Sequence, residues 1–233
     1  GNCCVPLFMI TTGYLMKNKK LSKQYYSGII RVLALYLVIS AACIIFDIHH
    51  FHKEYTAWTI LKSLFMFTGA QYAWYVEYYV SIFLLAPFMN LAWNGLNTRK
   101  AKTVMLISVL ALSILGESVY IGTTKDTQIR LFPYYFQRVY PVAYYFIGAY
   151  IRDFPPKRDA STKMLWGTLA AVALFYLTWS SYRHSITNAE GEYHFTSWHY
   201  NDYGSWPVAL ASTMIFLLLF DIRRSEERRV GKL

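Results

Sequence analysis

Glu77 is the residue with the clearest chemical potential, because it is a carboxylate set inside a run of apolar and aromatic residues. On a helix, Trp74, Glu77, Tyr78, Ser81 and Leu85 fall within an arc of about 100° at 3.6 residues per turn. Val76, Val80, Phe83 and Pro87 take the opposite side. One face is thus polar and aromatic, and the other is apolar and compatible with lipid. A carboxylate so placed belongs against protein or in a wet cavity, where it can bind a sugar hydroxyl or orient a base. The other reading is a pairing with a cation such as Arg138 that fixes helix packing.

Arg31 is the second candidate. It stands at one end of another apolar run and follows Lys17, Lys19, Lys20 and Lys23. Its guanidinium can snorkel to the interface or hold a phosphate of a cytosolic cosubstrate. The neighbouring lysines suit an anionic ligand, and anionic lipid headgroups would satisfy the same charges. A third candidate is the segment 132–148, dense in aromatic rings around Arg138, Tyr140 and Tyr144. Rings with polar tips form belts at membrane interfaces, and the same rings stack on sugar faces. The group His49, His50 and His52 can converge on a metal, but no carboxylate or cysteine completes such a site, and exposed loops collect histidines without that duty. No Walker loop, dinucleotide fingerprint or zinc motif is present.

The elements that must position these residues are membrane spans. Hydrophobic residues make up 55% of the chain and charged ones only 15%, against about a quarter in soluble domains. The apolar residues are gathered in runs separated by short polar segments, which is how spanning helices read. The fold expected is therefore all-α, a polytopic transmembrane helical bundle. Full spans are expected at 28–46, 72–93, 102–121, 138–150, 164–182 and 206–220, six in all. The run 4–16 is shorter than the ~20 residues a crossing needs, and it reads as part of a span. Between the first two full spans lie a polar loop at 47–55 and an amphipathic stretch. There Trp58, Leu61, Leu64 and Phe65 share one face, suiting a helix at the interface. Cys3, Cys4 and Cys43 lie in apolar surroundings and read as small buried apolar residues.

Loop charge orients the bundle. Thirteen Lys and Arg fall on the side of loops 17–27, 94–102, 152–163 and the end of the last span, against six on the other side. The bias alternates with the spans, so the basic loops are expected in the cytoplasm. The net charge of +10 is explained by that topology and does not call for nucleic acid. The opposite loops hold Glu54, Asp126, Glu190, Glu192, His194, His199 and Asp202 besides the histidine group, while Glu117 lies close enough to the outer end of its span to snorkel. Residues 224–233 turn abruptly charged. They resemble the in-frame translation of a sequencing-library adapter, although Leu233 departs from it and a natural basic tail is the other reading. The domain proper is then 1–223.

Several segments together resemble the integral-membrane acyltransferase 3 family, whose members O-acylate cell-surface glycans and other small acceptors. They are Val5 to Tyr14 with its Pro-Leu-Phe and Thr-Gly-Tyr steps, Lys23 to Arg31, Trp74 with Glu77, Pro87 to Asn90, and Tyr140 to Tyr150. The resemblance implies acyl-CoA, commonly acetyl-CoA, as a cytoplasmic cosubstrate, with no metal. It implies that Lys20, Lys23 and Arg31 meet the coenzyme's phosphates. Glu77 and Trp74 would serve catalysis, and Tyr78, Arg138, Tyr140 and Tyr144 would meet a glycan or similar hydroxyl acceptor. The partners are then the lipid bilayer and that acceptor, and the location is the cell membrane. The family's catalytic histidine comes from a first span with no counterpart here, so a fragment without activity is expected. Gly28 stands where many members carry the first of two arginines, and Thr12 where serine is usual. A transporter or glycan flippase, which would also show inward polar faces, is the alternative, and a membrane scaffold without a site is a third.

Overall fold

A computed structural model describes residues 3–70, 73–116, 120–121, 129–130, 132–133, 135–187 and 202–220. Glu117, Asp126, Glu190, Glu192, His194, His199 and the tail 224–233 lie outside them. The described chain is helical apart from one two-residue antiparallel ladder, Tyr120–Ile121 against Ile129–Arg130, in which Tyr120 faces Arg130. Among the described residues three helices are long and apolar enough to cross a membrane, at Lys23–Phe51, Trp74–Gly95 and Ala160–Arg183. The chain forms two compact units, Lys17–Gly95 and the union of Gly1–Met16 with Leu96–Leu233.

In the larger unit, α1 (Cys4–Met16) packs on α6 (Tyr140–Asp153). Two glycines set how close they come. A Cβ on Gly13 would strike the Tyr145 carbonyl oxygen and lie 2.8 Å from the Tyr145 Cα. One on Gly148 would strike the Ile10 carbonyl oxygen and lie 2.7 Å from the Tyr14 nitrogen. Only glycine allows backbones this near, and small residues at crossings are how helices associate where water gives no hydrophobic push. Arg152 then closes the C-terminus of α1. Its Nη1 donates to the carbonyls of Tyr14 (2.5 Å) and Leu15 (3.1 Å), and its guanidinium lies over the Tyr14 ring. Four terminal carbonyls of a helix lack internal partners, so a cation there is doubly favourable.

The same unit contains α5 (Arg99–Leu110), α7 (Ala160–Thr187) and α8 (Trp206–Leu219). Thr98 and Asp159 cap α5 and α7, accepting from the backbone nitrogens of Ala101 and Thr162. The Asp159 carboxyl is held below its usual range by the Thr162 hydrogen bonds. The run expected to span 102–121 departs from a single helix. α5 passes into a five-residue π-turn, Ala111–Leu115, where Ser113 donates back to the Val109 carbonyl at 2.7 Å. Such back-bonding loosens the ladder. Tyr120 and Ile121, aromatic and β-branched, sit in the ladder of strands instead of closing a span. Likewise α6 is preceded by a 3-10 turn, Tyr135–Val139, that carries Arg138.

The smaller unit consists of α2 (Lys23–Phe51), α3 (Ala57–Phe65) and α4 (Trp74–Gly95). α2 overruns the loop expected at 47–55. Asp47 explains why: its Oδ2 accepts from Lys53 Nζ at 2.6 Å and from the Tyr55 hydroxyl at 3.0 Å. Its carbonyl receives the backbone nitrogen of His52, the left-handed cap. With its acid and its chain reversal both satisfied locally, the helix continues one turn further. α3 is short and none of its residues is buried, with Trp58 and Phe65 open. The cysteines are not buried as expected; Cys3 and Cys43 are half-buried and Cys4 is exposed.

Candidate functional site

α4 departs from the sequence expectation in its second half, while Trp74, Val76, Tyr78 and Val80 of its first turns are all half-buried. Phe83 and Pro87 are buried, whereas Glu77, Ser81 and Leu85 are exposed. Proline 87 supplies the reason. It has no backbone N–H, so the carbonyl four residues earlier, that of Phe83, loses its helical donor. The Tyr25 hydroxyl donates to that carbonyl at 2.7 Å, and the Tyr25 ring stacks on Phe83 with centroids 4.3 Å apart. Tyr26 donates to the next carbonyl, Leu84, at 3.3 Å. Periodicity separates two faces but does not say which one meets a partner; the opened carbonyl decides it.

Further along α4, Asn90 Nδ2 donates to the Lys19 carbonyl at 2.8 Å, and Asn94 Nδ2 to that of Lys17 at 3.4 Å. Ser22 caps α2 by accepting from the Tyr25 nitrogen at 3.1 Å. Together Phe83, Pro87, Asn90 and Asn94 hold the backbone of the basic loop and the first turn of α2. Lys20, Lys23 and Arg31 are left exposed on that end of the unit. The loop is therefore positioned by its backbone while its cations stay available to solvent or ligand. A Cβ on Gly28, in the same turn as Arg31, would find only Phe83 Cζ, at 3.8 Å.

Glu77, Trp74 and Tyr78 share the first turns of α4, with the Trp74 and Tyr78 rings edge to face at 6.0 Å. Thirteen residues of helix separate Glu77 from Asn90, about 20 Å at 1.5 Å per residue. The carboxylate and the basic loop thus occupy opposite ends of one unit. In the larger unit, Arg138 is exposed on its 3-10 turn, while Tyr140 and Tyr144 are buried. The Tyr144 hydroxyl donates to the Tyr203 carbonyl at 2.6 Å, and the Tyr140 ring stacks on Tyr203 at 6.1 Å. These two tyrosines anchor the chain leading into α8.

His49 and His50 lie in the last turn of α2 with His52 as its cap, and the His50 ring stacks against Phe46 at 5.0 Å. Among the described residues no three His, Cys, Asp or Glu side chains converge as metal ligands would. A cluster that residue types alone did not reveal joins α5 to the end of α6. Lys102 Nζ meets Asp153 Oδ2 at 2.6 Å, and Thr103 and Arg99 both reach the Tyr150 hydroxyl, at 3.1 and 3.4 Å. Arg99 also lies over the Phe154 ring at 5.1 Å. Its only sequence trace was the basic loops around 99–102 and 152–158.

Comparison with known proteins decides what this frame belongs to. A family model described as an acyltransferase domain, the acyltransferase 3 type, matches residues 1–230. The chain belongs to the acyltransferase 3 family. No curated protein and no solved structure matches it significantly. The membership covers every element described above.

Proposed function

We propose that this membrane acyltransferase moves an acyl group, most simply acetyl, from a coenzyme A thioester on the cytoplasmic side to a hydroxyl of a cell-surface glycan. The observation that carries the reading is the loop at Lys17–Lys23, held through its carbonyls by α4 with Lys20, Lys23 and Arg31 left exposed. Coenzyme A presents phosphates, and several cations on a positioned backbone suit them. In the reaction the acceptor oxygen forms a bond to the thioester carbonyl carbon, the C–S bond breaks, and the coenzyme leaves as its thiol. A base must take the hydroxyl proton. Glu77, at the far end of α4 from the cations, would bind or orient the acceptor hydroxyl, with Trp74 and Tyr78 as aromatic neighbours. In the larger unit, Arg138, Tyr140 and Tyr144 would be the residues offered to an acceptor.

The topology belongs to the same proposal. The three long helices are complete crossings. The 12-residue α5 with its π-turn, and the 3-10 turn leading into the 14-residue α6, would complete two more. α8, an apolar helix of 14 residues, would be the sixth, and α1 a further partial one. The basic loops then face the cytoplasm of a cell membrane, and the tail 224–233 would be adapter-derived.

Donor binding is tested by titrating acetyl-CoA into the detergent-purified protein. Changing Lys20, Lys23 and Arg31 together to glutamine should weaken binding at least tenfold, given about 1.5–3 kcal/mol for charged hydrogen bonds. The loss should be larger at low salt. Undiminished binding by the triple variant would remove the donor site. In a transfer assay with a glycan acceptor, on a protein completed with the family's first span, Glu77→Gln should lower turnover and leave membrane insertion and acetyl-CoA affinity unchanged. If turnover is also unchanged, Glu77 belongs to packing alone.

A further inference from the structure

The larger unit contains a cavity of about 800 Å³ that the transfer reaction does not use. Its walls come from α5 and its π-turn (Leu110, Ile114), from α6 (Ile147, Ile151) and from α8 (Leu210, Met214). One end is different. There Arg99 and Lys157 line the rim beside Tyr150, Phe154 and the Pro155–Pro156 step. Arg99 is already oriented by the Tyr150 hydroxyl and the Phe154 ring, and Lys157 is exposed. The neighbouring Arg158 is turned to the Phe220 ring at 3.7 Å and the Leu217 carbonyl at 3.4 Å. Asp153 is engaged by Lys102. The rim therefore keeps a positive excess.

Such a groove cannot stay empty in a bilayer. An unfilled apolar channel forfeits dispersion contacts along its whole lining, and water entering it would find few hydrogen-bonding partners. Along α8 the lining runs from Trp206 to Leu217, about 16 Å of helix. That is close to the depth of one leaflet, half of a hydrocarbon core about 30 Å thick. The occupant must then be a chain of leaflet length whose head is anionic. We infer that this groove holds one acyl chain of an anionic phospholipid, with the headgroup phosphate on Arg99 and Lys157. The inference needs the protein to sit in a membrane but does not depend on the acyl-transfer reading.

Native mass spectrometry of protein taken from bilayers of equal phosphatidylglycerol and phosphatidylcholine provides the test. One phosphatidylglycerol should be retained in preference to phosphatidylcholine, and Lys157→Gln should reduce that preference about fivefold, as expected per basic residue at an anionic surface. Ala209→Phe, which fills the groove wall, should remove the retained lipid of either kind. Because that variant can also fail to fold, a second measurement uses the native wall. Phosphatidylglycerol brominated on its chains should quench a fluorescence component that is absent from Trp206→Phe. Equal retention of the two lipids, a quenching pattern unchanged by Trp206→Phe, or displacement of the lipid by palmitoyl-CoA would overturn the proposal. Displacement would assign the groove to an acyl donor. Each readout is independent of acetyl-CoA binding at Lys20, Lys23 and Arg31, so the two proposals fail separately.

Discussion

The crossing of α1 with α6 and the contact of α2 with α4 solve the same problem in opposite ways. In the first, two glycines bring backbone against backbone, and no side chain stands between Gly13 and Tyr145 or between Gly148 and Ile10. In the second, hydroxyl and amide side chains reach across to carbonyls, with an aromatic stack beside them. A backbone crossing has one geometry and no tolerance. A hydroxyl–carbonyl contact can lengthen, break and re-form. The rigid joint belongs to the unit that carries the apolar groove, and the adjustable one holds the cations expected to meet a charged, exchanging substrate.

The largest effect should come from breaking the rigid joint. Gly148→Val puts a branched side chain where the Ile10 carbonyl already stands, and overpacking of this kind costs about 1–3 kcal/mol or more. The purified variant should lose most of its folded population in a detergent thermal-unfolding assay, whatever its donor affinity. The adjustable joint should answer differently. Tyr25→Phe removes one hydroxyl and leaves the Phe83 carbonyl, opened by Pro87, without that donor. A cost of about 1 kcal/mol is expected. It should appear as a several-fold rise in the acetyl-CoA dissociation constant with little change in thermal midpoint. If affinity and thermal midpoint fell together, the two joints would not differ as argued. The smallest change sharpens the contrast. Gly28→Arg has room for its Cβ and removes a helix-interior glycine, worth about 0.5–1 kcal/mol. It also adds a cation in the turn of Arg31, so acetyl-CoA binding should tighten modestly. Weaker binding would mean that the loop does not face the donor.

What the sequence made legible was set by how local each cause is. Long apolar runs announced α2, α4 and α7, and the basic loops stood out because charge gathered between such runs follows from orientation in a membrane. The end of α2 was misplaced because Asp47 looked like the start of a loop, and its pairing with Lys53 and Tyr55 is visible only once the chain turns back. Two faces of α4 were identified, but Phe83 and Pro87, expected on the lipid side, are the buried ones. Pro87 marked an opened carbonyl, yet nothing local says that Tyr25, 58 residues from Phe83, arrives to fill it. Glu77 stood out by type and Arg31 by context, while Asn90 stood only as the end of a family-like segment and Asn94 as part of a loop until their partners in the basic loop were known. The groove had no signature at all, being made of commonplace leucines and isoleucines from three helices.

Gly13 and Gly148 are 135 residues apart in the chain. At a synthesis rate of about 5–20 residues per second, α1 waits roughly 10 s before the surface that matches it exists. Throughout that interval its glycine notch lacks the close backbone fit that α6 later supplies. Assembly of the larger unit is therefore a late event in the life of the nascent chain, timed by the emergence of α6.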